Sequence, residues 1–250
     1  MTGRTMVSVA AVVAAVGGLL GSPQAAPVEK LVRVYGDLAT AEHVAVVVPG
    51  SDTTVATFER RGDKPYSTPE GGAKALMAEA RRVDPAAKLA VVAWLGYDSP
   101  KTWSLGVATA HAAEEGARAL RGVVDNLEGK RVTLLCHSYG SVVCAKAVPG
   151  SAVADLAVFG SAGLQVGHAR DLGGVRLWAG LGADDWISNV PNVTIGPFGF
   201  GADPMHPDFG ARRFTTGRAG HSDYLRPESE SLRNLTLIAL GRASEVTVVR

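Results

Sequence analysis

The chain has 250 residues, 46% hydrophobic and 20% charged, with a formal net charge of +1 at pH 7. That length fits one large domain or two small ones with an ordinary buried core, and the 30 glycines and 13 prolines are scattered, which argues against a fibrous or disordered chain. The near-neutral balance, without a long basic run, argues against a nucleic-acid or anionic-membrane surface.

Arg4 followed by the uncharged apolar run Met6 to Leu20 reads as an export signal, too short for a comfortable membrane span. Gly21-Ser22-Pro23 breaks it and Ala25-Ala26 offers a cleavage site. The expectation is a signal over residues 1–26, a secreted or cell-envelope protein, and one domain over 27–250.

Val28 to Tyr35 is a first strand candidate. His43 to Val48 is a β-branched run typical of a strand buried on both faces. The loop after it, Pro49-Gly50-Ser51-Asp52, stands where an acyl-transfer enzyme presents a backbone N–H to an oxyanion. Thr68 to Arg82 reads as a helix with Pro69 at its start and Pro85 past its end. Lys88 to Trp94 is the next buried strand, and Thr109 to Leu127 a long amphipathic helix closed at Gly129.

Val132 to Cys136 then runs straight into Ser138, Gly140 and a helix-compatible stretch, Ser141 to Val148. Strand, tight turn with serine at its tip, then helix is the context of a nucleophile elbow, in which the serine is held in a strained conformation. The usual Gly-x-Ser-x-Gly pattern has its second glycine here as Gly140, but Cys136 replaces the first. Cys136 and Cys144, one ending a strand and one in the next helix, are expected to be buried thiols and not a disulfide.

Asp155 to Phe159 and Val175 to Ala179 are further strands, with no room between them for a large lid. Asp184 and Asp185 follow, just past a strand end, where open α/β sheets place functional groups. Ala211 to Thr215 is a last strand candidate, His221 lies in the loop Gly220-His221-Ser222, and Ser229 to Leu240 is a final helix. Strands alternating with helices predict an α/β fold with a mostly parallel sheet flanked by helices.

Serine needs a base near neutrality, and an imidazole needs a third group to fix its tautomer. An α/β-hydrolase supplies these in the order Ser, Asp/Glu, His, and this chain offers Ser138, then Asp184 or Asp185, then His221.

The chain resembles the actinobacterial α/β-hydrolase family once catalogued as a domain of unknown function (DUF1023). The resemblance runs from about His43 to Gly241. It is carried by Val47-Val48-Pro49-Gly50, Trp94-Leu95-Gly96-Tyr97-Asp98, His137-Ser138-Tyr139-Gly140-Ser141, Asp203-Pro204, Phe209-Gly210-Ala211-Arg212 and Gly220-His221-Ser222-x-Tyr224. It implies an α/β-hydrolase fold and hydrolase activity, with Ser138 as nucleophile and His221 as base. Asp185 is preferred over Asp184 as the acid, because Asp185-Trp186-Ile187 resembles the Asp-x-Ile/Val that often follows this strand. The oxyanion donors would be the backbone N–H groups of Ser51 and Tyr139.

The expected activity is hydrolysis of a small-molecule carboxylic ester with a small or medium acyl group. The competing readings are a peptidase or amidase, an acyltransferase with the same triad, and a non-catalytic cell-envelope binding protein. No cofactor, metal, nucleic acid or stable protein partner is expected. Among the remaining residues, His137 is expected to point away from the site and His111 to be solvated on a helix, while His206 is a rival base disfavoured because it precedes the last strand candidate. Asp98 either lines the site or ends its strand. Phe198, Phe200, Phe209 and Phe214 either rim the pocket or pack the preceding loop onto the core.

Overall fold

The computed structural model describes residues 30–59, 62–102, 109–189, 194–195 and 198–249. The expected signal segment lies outside the described residues. Strands β1 (Leu31–Tyr35), β2 (His43–Val48), β3 (Leu89–Leu95), β4 (Arg131–His137), β5 (Val153–Phe159) and β6 (Arg176–Gly180) pair into one sheet. It is completed by β9 (Arg212–Arg213), while β7 (Thr194–Ile195) and β8 (Phe198–Gly199) form a separate hairpin. The order is β1-β3-β2-β4-β5-β6-β9, with β1 antiparallel and every other pair parallel. This is the α/β-hydrolase fold.

The central strands are apolar through most of their length because helices cover both faces. Val44, Val46 and Val48 of β2 face α2 (Thr109–Asp125) and α3 (Gly140–Ala147). Ala45 and Val47 face α1 (Pro69–Val83) and α4 (Glu230–Ala239). The period of two is present, but both faces are core, so polarity does not alternate. Helix starts follow local chemistry. The Thr68 hydroxyl accepts from the Gly71 N–H (3.0 Å) ahead of Pro69, and the Ser229 hydroxyl accepts from the Leu232 N–H (3.1 Å).

From β2 the chain crosses to β3 on one side and returns to β4 on the other. That places a topological switch point between β2 and β4, where open α/β sheets form their crevice. Val48 pairs with Cys136, so the two strands end level, and Gly50 and Ser138 emerge side by side.

Three expectations change. Cys136 and Cys144 are joined in a disulfide, with Cα atoms 6.5 Å apart. The turn at Ser138 folds α3 back against the end of β4, which brings the two positions within bridging range. The last strand is reduced to Arg212–Arg213 within the sheet. Beyond it the C-terminal tail returns: Phe214 bridges Val248, and the N–H groups of Thr215 and Val249 donate to Thr247 and Arg213 carbonyls (both 2.9 Å). The tail thereby covers an edge that would otherwise be open to another strand. His137 faces the site, as described next.

Candidate active site

Ser138 has φ +51°, the left-handed region, at the tip between β4 and α3. A non-glycine residue there is strained by about 1–2 kcal/mol and persists only where neighbours fix it. Here the Ser138 N–H donates to the Phe159 carbonyl (3.0 Å), and the Ser138 carbonyl accepts from the Ser141 N–H (3.0 Å). The Ser141 hydroxyl also donates to the Cys136 carbonyl (3.1 Å). Gly140 is required by close approach, since a Cβ there would lie 2.4 Å from the Pro49 oxygen. Cys136 is not among the positive-φ residues, so a side chain is tolerated where the usual motif has glycine.

The structure brings Ser138, Asp185 and His221 together from three separate connections. Ser138 Oγ lies 3.0 Å from His221 Nε2, and His221 Nδ1 lies 2.9 and 3.1 Å from the two Asp185 oxygens. Asp185 is fully buried and accepts only, so Nδ1 carries the imidazole proton and Nε2 presents its lone pair to the Ser138 hydroxyl. Burial pushes the Asp185 carboxyl up. Hydrogen bonds from His221 and Tyr224, the attraction of the imidazole whenever it is protonated, and the Ile187 N–H (2.9 Å) outweigh it and hold the carboxyl below its usual range. Asp184 turns outward to Arg218 (2.6 Å) and takes no part. Adjacent residues in the turn point to opposite sides, and the Ile187 contact shows that Asp185 itself caps the turn after it.

His137 is a correction. Its side chain lines the pocket, its Nε2–H donates to the His221 carbonyl (2.7 Å), and its ring lies 4.6 Å from that of His221. The strand's alternation decides this, because the last residue of β4 projects toward the face where Phe159 and Tyr224 pack (5.5 and 5.9 Å between ring centroids). Tyr224 is the second residue whose position the sequence alone did not reveal. Its hydroxyl donates to Asp185 Oδ2 (2.6 Å) and accepts from the Gly182 N–H (3.0 Å). Its presence three residues after His221 was the available signal.

The loop after β2 is braced from the β3 side. Buried Tyr97 donates its hydroxyl to the Pro49 carbonyl (2.6 Å), and Ser99 Oγ donates to the Gly50 carbonyl (2.8 Å). Burial pushes the Tyr97 phenol up, so it stays a donor. In a trans peptide the N–H points opposite to the carbonyl. Fixing the Gly50 carbonyl on Ser99 therefore turns the Ser51 N–H away from Ser99, and this N–H has no protein acceptor among the described residues. Ser51 and Tyr139 both line the pocket beside Ser138. A Cβ at Gly50 would come within 2.7 Å of Ser138 Cβ, which shows how closely this loop approaches the serine.

The remaining candidates sort by position. His206 is exposed, accepts from the Asp208 N–H (3.3 Å) at a surface turn and is not among the residues lining the pocket. His111 is exposed on α2, and Asp98 is exposed and outside the pocket. Phe209 and Phe214 are core, Phe200 lines the pocket, and the Phe198 side chain lies outside the described residues. Trp186 is 47% exposed, with its ring 4.8 Å from that of His221. Among the described residues no group of three or more His, Cys, Asp or Glu side chains is placed to hold a metal ion.

A mostly parallel sheet between two helical layers, with a strained serine at the turn after a central strand, defines an α/β-hydrolase. A family model described as alpha/beta hydrolase matches residues 25–195, and the chain belongs to that family. The uncharacterized protein Rv2079 of Mycobacterium tuberculosis H37Rv is 31% identical over 242 residues, covering 82% of this chain and 36% of that protein. The uncharacterized protein Rv0963c of the same strain is 33% identical over 185 residues, covering 68% of this chain and 65% of its own length. The chain thus spans about a third of the first relative's length. The crystal structure of esterase PE8 shares the fold, with a TM-score of 0.52 and 13% identity over 84% of this chain and 98% of the other.

Proposed function

We propose that the protein is a serine hydrolase that cleaves carboxylic esters of small or medium acyl groups through an acyl-enzyme. The observation that carries this is the continuous hydrogen-bonded line from Asp185 through His221 to Ser138. Ser138 Oγ attacks the ester carbonyl as His221 Nε2 takes its proton, and Asp185 stabilises the imidazolium. The negative oxygen of the tetrahedral intermediate is received by the N–H groups of Ser51 and Tyr139. Collapse breaks the ester C–O bond, and the alcohol leaves with the proton from His221. Water, deprotonated by His221, then attacks the acyl-enzyme; the acyl C–Oγ bond breaks, His221 returns the proton to Ser138 Oγ and the carboxylic acid leaves.

Substrate class follows from the lining. No Lys or Arg lines the pocket among the described residues, and its one carboxylate, Asp52, is engaged by Thr102. Trp186, Ile187, Phe200, Ala162 and Leu225 form an apolar wall. Such a site favours a neutral, apolar acyl group over an anionic one. The mycobacterial relatives accord with the actinobacterial family that the motifs resemble. The disulfide accords with export to an oxidising compartment.

The test is labelling of the full chain by a fluorophosphonate, wild type against Ser138→Ala. Labelling of the wild type that is lost in the variant is expected, and an acyl-length series would follow. Absence of labelling in folded wild-type protein would overturn the reading.

A further inference from the structure

The hydroxyl of Tyr224 is a buried polar group on a ring whose packing asks only for an aromatic. Its ring sits 5.3 Å from Phe159 and 5.9 Å from His137, contacts that phenylalanine would make as well. The hydroxyl is therefore the informative part. It accepts from the Gly182 N–H, which occupies a lone pair, and it lies 2.6 Å from Asp185 Oδ2. It has one proton, and the carboxylate is the acceptor that remains.

The carboxylate's own account is equally tight. Oδ1 accepts from the Ile187 N–H and from His221, both at 2.9 Å. Oδ2 accepts from Tyr224, with His221 at the longer 3.1 Å. Without the phenol, Oδ2 keeps only that longer contact, and the Gly182 N–H loses the acceptor it has among the described residues.

We propose that Tyr224 is a positioning residue: its hydroxyl keeps the Asp185 carboxylate ionised and turned toward His221. Base and brace arrive on one turn, three residues apart, so the loop that delivers the imidazole also fixes the group behind it. The catalytic consequence rests on the serine-hydrolase reading. The titratable groups facing this corner are His221 and His137 on the pocket side. Asp223, next in the chain, turns away to Lys64 (2.8 Å) and Tyr66 (3.0 Å), and Asp184 turns away to Arg218.

The experiment uses the full chain, wild type and Tyr224→Phe. Three quantities are followed: the fluorophosphonate labelling rate against pH, kcat and KM on a short acyl ester, and the proton resonance of His221 Nδ1–H. Loss of a hydrogen bond to a charged group predicts a fall of about 10- to 100-fold in kcat with KM little changed. The acid limb of the pH profile moves up, because a carboxylate short of one donor is more basic and holds the protonated imidazole more strongly. The Nδ1 proton resonance shifts. A kcat within twofold of wild type, with superimposable pH profile and resonance, would overturn the proposal. Wild-type protein that is not labelled, but whose Nδ1 resonance still shifts in the variant, would leave the positioning role standing and remove the serine-hydrolase reading. Should Tyr224→Phe not fold, 3-fluorotyrosine at position 224 keeps the ring and donates a more acidic proton. The acid limb then moves down, and an unmoved limb and resonance would overturn the proposal.

Discussion

Two buried aspartates stand at opposite ends of the same sheet. Asp155, near the start of β5, is 1% exposed and Asp185, past the end of β6, 2% exposed. Asp155 is held by Arg131 and Arg176, the first residues of the flanking strands, and by the Trp178 indole N–H (2.9 Å). Asp185 is held by an imidazole, a phenol and a backbone N–H. A guanidinium keeps its charge throughout the working range, so the two arginines beside Asp155 stay charged. An imidazole gains and loses a proton, so the partner of Asp185 can change charge while the carboxylate stays fixed. Equal burial thus supports a tie between permanent charges at the amino ends of the strands and, at the carboxyl ends, one whose partner can change charge.

The comparison breaks most sharply at Asp185→Asn. If the proposed function holds, kcat per folded site falls about 10⁴-fold through the wrong imidazole tautomer, measured on a short acyl ester. Asp155→Ala should do the reverse. It leaves two arginines and an indole N–H unpaired, and costs about 3–5 kcal/mol in urea unfolding while labelling per folded molecule is kept. A third test uses acid. The Asp185 carboxyl is held below its usual range, so its contribution to stability is fully present above the unfolded pKa of about 3.9 and is lost as pH falls through the lower folded value. The stability gap between wild type and Asp185→Asn should narrow as unfolding is repeated from pH 7 toward pH 3. The smallest effect belongs to Asp184→Asn. Its pair with the exposed Arg218 is a surface one, and stability should move by less than about 1 kcal/mol with activity unchanged.

The central strands were legible because strands covered on both faces are mostly apolar, as β3 is throughout and β2 is after His43. The serine turn was legible for a local reason too: small residues are forced where β4, the loop after β2 and α3 crowd together. What escaped is long-range. The disulfide depends on the direction in which α3 leaves the turn, which residues 136 and 144 do not encode by themselves. His137 was misplaced because a strand's last side chain takes its side from the register. The tie around Asp155 joins three strands and the brace of Tyr97 on Pro49 joins two connections 48 positions apart, so neither leaves a local pattern. Adjacent Asp184 and Asp185 look alike in a pattern, and only the turn sends one inward.

Ser138 and His221 are 83 positions apart, and the base comes second. A ribosome adding about 5–20 residues per second needs roughly 4 to 17 seconds to cover that stretch. During synthesis the chain therefore carries its serine well before it carries the imidazole that the fold places against it. On the proposed function, a nascent or prematurely terminated chain is chemically silent, and reactivity begins only when the penultimate connection, with Tyr224 on it, has been made and docked.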